Sequence, residues 1–122
     1  LEEVIMPPVN AGLDYLHSSM RRFWESEFSN SEENLAFWTK KISNIPTIAV
    51  GSVGLDTDFI DMTASANPTS IDRAIEDISQ NKYELIAVGR ALIADPNWVV
   101  KMKEGRLKDL VPYTKEALMT LY

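Results

Sequence analysis

Apolar residues along this chain fall into two patterns, short unbroken runs and longer stretches in which they recur every three or four positions. Residues 13–18, Leu13 through Ser18, form a short β-prone run after Gly12. Residues 29–44 read as a helix: Ser29 or Asn30 can cap it, Glu32 and Glu33 suit its first turn, and Leu35, Trp38 and Ile42 share one face. Pro46 opens a second strand, Thr47–Val50, which stops at Gly51-Ser52-Val53-Gly54. Thr69 or Ser70 then caps a helix whose Ile71, Ala74, Ile75 and Ile78 fall at i, i+3, i+4 and i+7, an amphipathic spacing. A third strand over 85–88 ends at Gly89-Arg90. Asp95 caps a further helix with Pro96 at its first position, Trp98, Val99 and Met102 inward, and Gly105 as its stop. A last short helix is expected over roughly 114–121 behind Thr114.

The order is therefore β-α-β-α-β-α-α. Strands 47–50 and 85–88 are apolar throughout, so coverage of both sheet faces is expected, as in a parallel sheet. In the first twelve residues Val4, Ile5 and Val9 look helical, but Pro7-Pro8 should fray, kink or break the helix. No repeat, low-complexity tract or long linker divides the chain, and its 122 residues suffice for a single domain with a real core. With 45% hydrophobic and 25% charged residues it is ordinary globular material. Twelve Lys+Arg against 18 Asp+Glu leave a net charge of −6, which argues against nucleic acid as the main partner. No apolar run approaches the roughly 20 residues of a membrane span. The absence of cysteine excludes a disulfide framework, a thiolate zinc site and a Cys nucleophile. A cytoplasmic α/β protein is the expectation left standing, and a chain that opens at Leu1 suggests a piece of something longer.

Ligands of parallel α/β folds gather at the carboxyl ends of the strands. Here those ends carry His17-Ser18-Ser19, Gly51-Ser52-Val53-Gly54 and Gly89-Arg90. Gly51 and Gly89 let backbone come close to a ligand, and Arg90 can donate to a phosphate from amide and guanidinium alike. Turn chemistry alone is the competing account of each glycine. His17, the only histidine, suits either a structural place or a titrating role near the ligand. Arg21, Arg22, Phe23 and Trp24, with Phe28, either tuck their rings under a surface loop or wall an anionic or planar ligand. Asp56, Asp58 and Asp61 lack the glycine and terminal Glu of a calcium loop and read better as helix-capping carboxylates. Asp72, Glu76 and Asp77 lie opposite the isoleucine stripe and read as a solvated face. Trp38 and Trp98 read as core. No Ser-His-Asp set, P-loop or complete dinucleotide fingerprint occurs.

The run Val88-Gly89-Arg90-Ala91-Leu92-Ile93-Ala94-Asp95-Pro96, with Trp98, Lys101 and Gly105-Arg106 beyond it, resembles the last strand-and-helix unit of the Old Yellow Enzyme family. Ile45 through Ser52 resembles that family's seventh strand, and Gly12 through His17 its sixth. The resemblance implies a single partial domain over 1–122, three of the eight strand-helix units of a (β/α)8 TIM barrel with parallel strands and flanking helices. A complete barrel takes about 250 residues. It implies FMN as cofactor with NADH or NADPH as reductant, and reduction of an activated alkene of the enone type by hydride from the flavin. Gly51, Ser52, Gly89 and Arg90 would hold the FMN phosphate. His17, Arg22, Phe23 and Trp24 would border the substrate side. The family's carbonyl-binding pair and proton-donating Tyr belong to earlier strands and have no counterpart here, so the isolated chain should be inactive. The sequence departs from the pattern at Pro7-Pro8 and in the long 55–68 connection. Three parallel strands leave two open edges, from which self-association is expected. A different class of function stays open, a self-contained, non-catalytic α/β module binding a phosphorylated ligand or a partner protein.

Overall fold

A computed structural model describes residues 1–60 and 65–120. Eight regular elements precede two 3₁₀ turns: α1 (Glu2–Asn10), β1 (Leu16–Ser19), α2 (Leu35–Ser43), β2 (Thr47–Val50), α3 (Asp72–Ser79), β3 (Leu85–Ile86), α4 (Arg90–Ala94) and α5 (Trp98–Lys103), then Leu107–Asp109 and Lys115–Met119. The strands form one parallel sheet in the order β1-β2-β3. Leu16 lies opposite Thr47, Ser18 opposite Ala49, and Ala49 opposite Ile86. The architecture is α/β with three parallel strands and flanking helices, compatible with part of a barrel.

Among the described residues only one face of the sheet is covered, contrary to the expectation from the apolar strands. Ser18, Thr47 and Ala49 are buried, whereas His17 and Ser19 are exposed, Ile48 and Val50 are half-buried, and Leu85 keeps 57% of its surface. The cause lies in the helices, whose contacts with the sheet gather on its Ala49 side. Ala36 from α2, Tyr83 before β3 and Ile78 from α3 pack with Ala49 and Ile86. Phe23, Val53 and Ala74 form an adjoining cluster against Ile71 and Ile86.

Helix α2 begins later than its sequence suggests and presents a different face. Asn34 caps it, accepting from the Phe37 N–H and donating to the Phe23 carbonyl at 2.8 Å. Its buried stripe is Ala36, Thr39 and Ser43, small residues that let the helix come close enough for Ser18 Oγ to donate to Thr39 at 3.0 Å. The expected Leu35, Trp38 and Ile42 are only half-buried on its flank. There the Trp38 ring meets Phe28 and Phe37 edge-on, with the Lys41 ammonium 4.8 Å from its centroid.

Other expectations also change. Helix α1 runs through Pro7 and Pro8 without interruption: the two rings remove donors, but the Pro7 and Pro8 carbonyls still accept from Ala11 and Leu13. Asp77 is not solvated but buried, taking the Tyr83 hydroxyl at 2.9 Å and facing the Lys82 ammonium. Burial, then that hydrogen bond, pushes the Tyr83 phenol well above its ordinary value. Ile75 and Val99, read as inward, are exposed. Two residues suffice for β3, because the chain turns into the unforeseen α4 directly after Gly89.

The Gly105 stop keeps its signal, but the expected cap does not: α5 starts at Trp98 behind Asn97 with no side-chain cap bond, and Pro96 lies in the turn before it. Asp95 accepts from the Asn97 N–H in that turn, and Gly105, at φ +70°, closes the helix with Gly105 N–H on the Met102 carbonyl and Arg106 N–H on that of Lys101. The buried Asp95 also binds the Lys101 ammonium at 2.7 Å and the Val111 N–H, tying the last segment to the α4–α5 turn. Hydrogen bonds from Lys101 and these amides hold its carboxyl below the usual range against the opposing effect of burial. The last helix is a 3₁₀ turn at Lys115–Met119; its expected end at 121, like Asp61, lies outside the described residues.

Trp98 is the largest side chain in the C-terminal core, packed with Leu55, Ala91 and Tyr113. Its ring lies under Gly54, which sits at φ +77°, and a Cβ at position 54 would come within 2.8 Å of it. Gly54→Ala is therefore expected to cost about 2 kcal/mol through overpacking and backbone strain. Urea unfolding of the two proteins measures this, and equal midpoints would show that the contact is not tight.

Candidate functional site

The loops after all three strands converge on the side chain of Ser52. Its backbone is in the left-handed region at φ +54°, an uncommon conformation for a residue with a side chain. The hydroxyl donates to the Arg21 carbonyl, after β1, at 2.8 Å and accepts from Arg90, after β3, at 3.1 Å. Gly51 is buried beside it, and its missing side chain serves the protein itself. A Cβ there would meet the Met20 carbonyl oxygen at 2.8 Å and the Phe23 nitrogen at 3.0 Å. Gly89 differs, since a Cβ would meet nothing within 4 Å, so the space above it is open.

Gly51, Ser52, Gly89 and Arg90 thus come together as their spacing suggests, around a cleft of about 210 Å³ that Ser19, Met20 and Phe59 also line. Arg90 donates to the carbonyls of Thr57 at 2.6 Å and Asp58 at 3.3 Å, and its guanidinium lies 5.3 Å from the Tyr113 ring centroid. None of these partners carries a negative charge. Among the described residues no hydrogen bond engages the backbone N–H groups of Ser52, Gly89 or Arg90. The cleft therefore offers a half-buried cation and backbone donors without a counter-ion, a donor set that fits a phosphate group.

The neighbouring arginines are arranged oppositely. Arg21 binds the Asp58 carboxylate through Nε and Nη2 at 3.2 and 2.8 Å, and Arg22 reaches the same oxygen at 2.9 Å and Glu25 at 2.6 Å. Asp58 is 2% exposed and also accepts from the Ile60 N–H. Hydrogen bonding from Arg21, followed by the Ile60 amide and both guanidinium charges, holds its carboxyl below the ordinary range despite desolvation. Asp56 turns away to Asn67, so neither it nor Asp58 caps a helix as expected, and no metal-binding cluster occurs among the described residues.

The four residues expected on the substrate side separate. Phe23 is in the core against Val53 and Ala74, so it cannot wall a ligand. Trp24 is half-buried, edge-on to Phe23 at 5.4 Å. Arg22 is tied into its ion pairs. His17 is exposed within β1, opposite Ile48, rather than at the strand's end. Arg21 and Asp58 were singled out in the sequence but not as each other's partners, and the residues it missed are Thr57 and Phe59 at the cleft and Tyr113 against Arg90. The Arg-Arg dipeptide was the one available signal, but no local spacing joins position 21 to 58 or 90 to 113.

No protein-family model matches the chain. It is 32% identical over 102 residues to the probable NADH-dependent flavin oxidoreductase YqiG of Bacillus subtilis, an alignment covering 80% of this chain and 23% of that protein. It is 36% identical over 76 residues to an NADH oxidase of Thermoanaerobacter brockii, covering 62% of this chain and 9% of that protein. The chain thus spans about a quarter of the first and about a tenth of the second. These likenesses support kinship with the broad NADH:flavin oxidoreductase group. No helix among the described residues is long and apolar enough to cross a membrane.

The Asp58 pairing makes stability depend on pH with a definite sign. Its folded pKa lies below the unfolded value of about 3.9, so the stabilisation is complete above that value and lost as pH falls through the folded one. The difference in unfolding free energy between the parent and Asp58→Asn is therefore expected to be constant near neutrality and to shrink below about pH 4. Urea titrations across that range test it; a gap that widens on acidification would contradict the pairing.

Proposed function

We propose that this chain is the phosphate-gripping part of an FMN-dependent NAD(P)H oxidoreductase of the ene-reductase type, the C-terminal portion of a (β/α)8 barrel. The observation that carries this reading is Arg90, a half-buried guanidinium whose partners are carbonyls, a hydroxyl and a ring, and whose charge is left for an anion. Arg90 and the amides at Ser52, Gly89 and Arg90 hold the phosphate, while Gly51 keeps the loop after β1 close enough for the Ser52 hydroxyl to position Arg90. A bound flavin supplies hydride chemistry, with NADH, the reductant in the relatives' names, or NADPH as its source and an activated alkene as acceptor. His17 and Trp24 stand toward the substrate side in this reading, and Arg22 with Asp58 stiffens the loop that carries Trp24. The open sheet face and the edges at β1 and β3 accept further strands of a barrel or of a second copy. A self-contained module would cover its strands on both faces, so the uncovered face favours the barrel reading.

Flavin fluorescence quenching with FMN and riboflavin tests the phosphate site. FMN should bind the chain more tightly than riboflavin, and Arg90→Ala should remove most of that preference, about tenfold or more in affinity. Arg90→Lys, which keeps the charge, should retain part of it, and circular dichroism checks that each variant is folded. Equal binding of FMN and riboflavin by the parent chain would overturn the assignment. The chain alone should show no NADH- or NADPH-dependent reduction of an enone with FMN added, and turnover would overturn its proposed role as one part of the catalytic unit.

A further inference from the structure

An apolar groove of about 350 Å³ runs between α3 and α5, away from the phosphate cleft. Ile71, Trp98 and Met102 form its floor, and Ile75, Val99 and Leu107 stand exposed along its lips. The lips carry opposite charge. Asp72 lines the α3 side, with Glu76 one turn further along, and Lys103 lines the α5 side. Among the described residues neither Asp72 nor Lys103 takes part in an ion pair, although nearby Asp95, Lys101, Glu104, Arg106 and Asp109 all do.

We propose that this groove is an isologous interface for a second copy of the chain. A two-fold axis that lays α3 of one copy across α5 of the other sets Asp72 against the other copy's Lys103, twice by symmetry. The exposed Ile75, Val99 and Leu107 of each copy then fill the groove of its partner. Helix α3 places Arg73 on the side turned away from the groove, so it does not oppose the pairing. The lips therefore supply both requirements of a self-complementary surface: apolar side chains to be buried, and a charge pattern that matches itself only in that orientation. This inference does not rest on the flavin reading.

The charge pattern gives a test that pairing of strand edges cannot imitate. Tagged and untagged chains are mixed, and the untagged copy captured is measured for the parent, Asp72→Lys and Lys103→Glu. Parent should capture parent. Asp72→Lys should capture itself about tenfold less, because both lips are then positive, and Lys103→Glu should do the same with both lips negative. Tagged Asp72→Lys should capture untagged Lys103→Glu at close to the parent level, which also shows that both variants are folded. Failure of the parent to capture itself, or equal capture in every combination, would overturn the proposal, the latter pointing instead to the sheet edges.

Discussion

One hydroxyl joins the loops that follow all three strands of this molecule. Ser52 Oγ bonds simultaneously to the Arg21 carbonyl and the Arg90 guanidinium, so the loops after β1, β2 and β3 share a single atom. From Arg90 the connection continues to the carbonyls at Thr57 and Asp58, and across its face to Tyr113, whose backbone pairs with Ala66 in the long connection. The left-handed backbone that aims the hydroxyl costs on the order of 1 kcal/mol. Two bonds of roughly 1 kcal/mol each offset it. A threonine could supply the hydroxyl, but its β-branch is ill suited to that backbone, so the position is more demanding than a surface serine would suggest.

The three arginines near this joint show how similar side chains acquire different capacities. Arg21 and Arg22 converge on one buried carboxylate, and Glu25 takes a second share of Arg22, so their charge is consumed in stiffening the loop. Arg90 is held as firmly, by at least three hydrogen bonds, but only by neutral groups. A group fixed in place with its charge uncompensated is preorganised for an anion, since binding then requires neither rearrangement nor displacement of a counter-ion. Local charge density would favour the Arg-Arg pair. The partners decide otherwise.

What could be read from the sequence follows the range of the interactions involved. The Thr47–Val50 strand and the Gly105 stop depend on neighbours a few residues away, and both stand where local chemistry puts them, whereas Asp95 bonds the Asn97 N–H in the turn before α5 and does not cap the helix. The meeting of Gly51-Ser52 with Gly89-Arg90 was legible because a parallel sheet brings successive strand ends together whatever the loops do. Helix α2 was misread for a reason of packing. Its face toward the sheet is chosen by closeness of approach, which favours Ala36, Thr39 and Ser43 over the larger Leu35 and Trp38. Asp77 and Phe23 were misread because burial of a carboxylate or a loop ring depends on Tyr83 and Val53, partners that no periodicity announces. Asp58 belongs with these: its role exists only once positions 21 and 22 have been folded onto it.

The distribution of these contacts separates two parts of the molecule. The cleft at Ser52 and Arg90 is supported from within the chain: Ser52 bonds Arg21 and Arg90, Arg90 reaches the Thr57 and Asp58 carbonyls, and Trp98 under Gly54 braces the same turn from below. The sheet is supported from one side only among the described residues, with His17, Ile48 and Leu85 in a row across β1, β2 and β3 and no described helix over them. The cleft is thus shaped by bonds that begin and end within this chain, whereas the row that begins at His17 is left, among the described residues, without a covering helix.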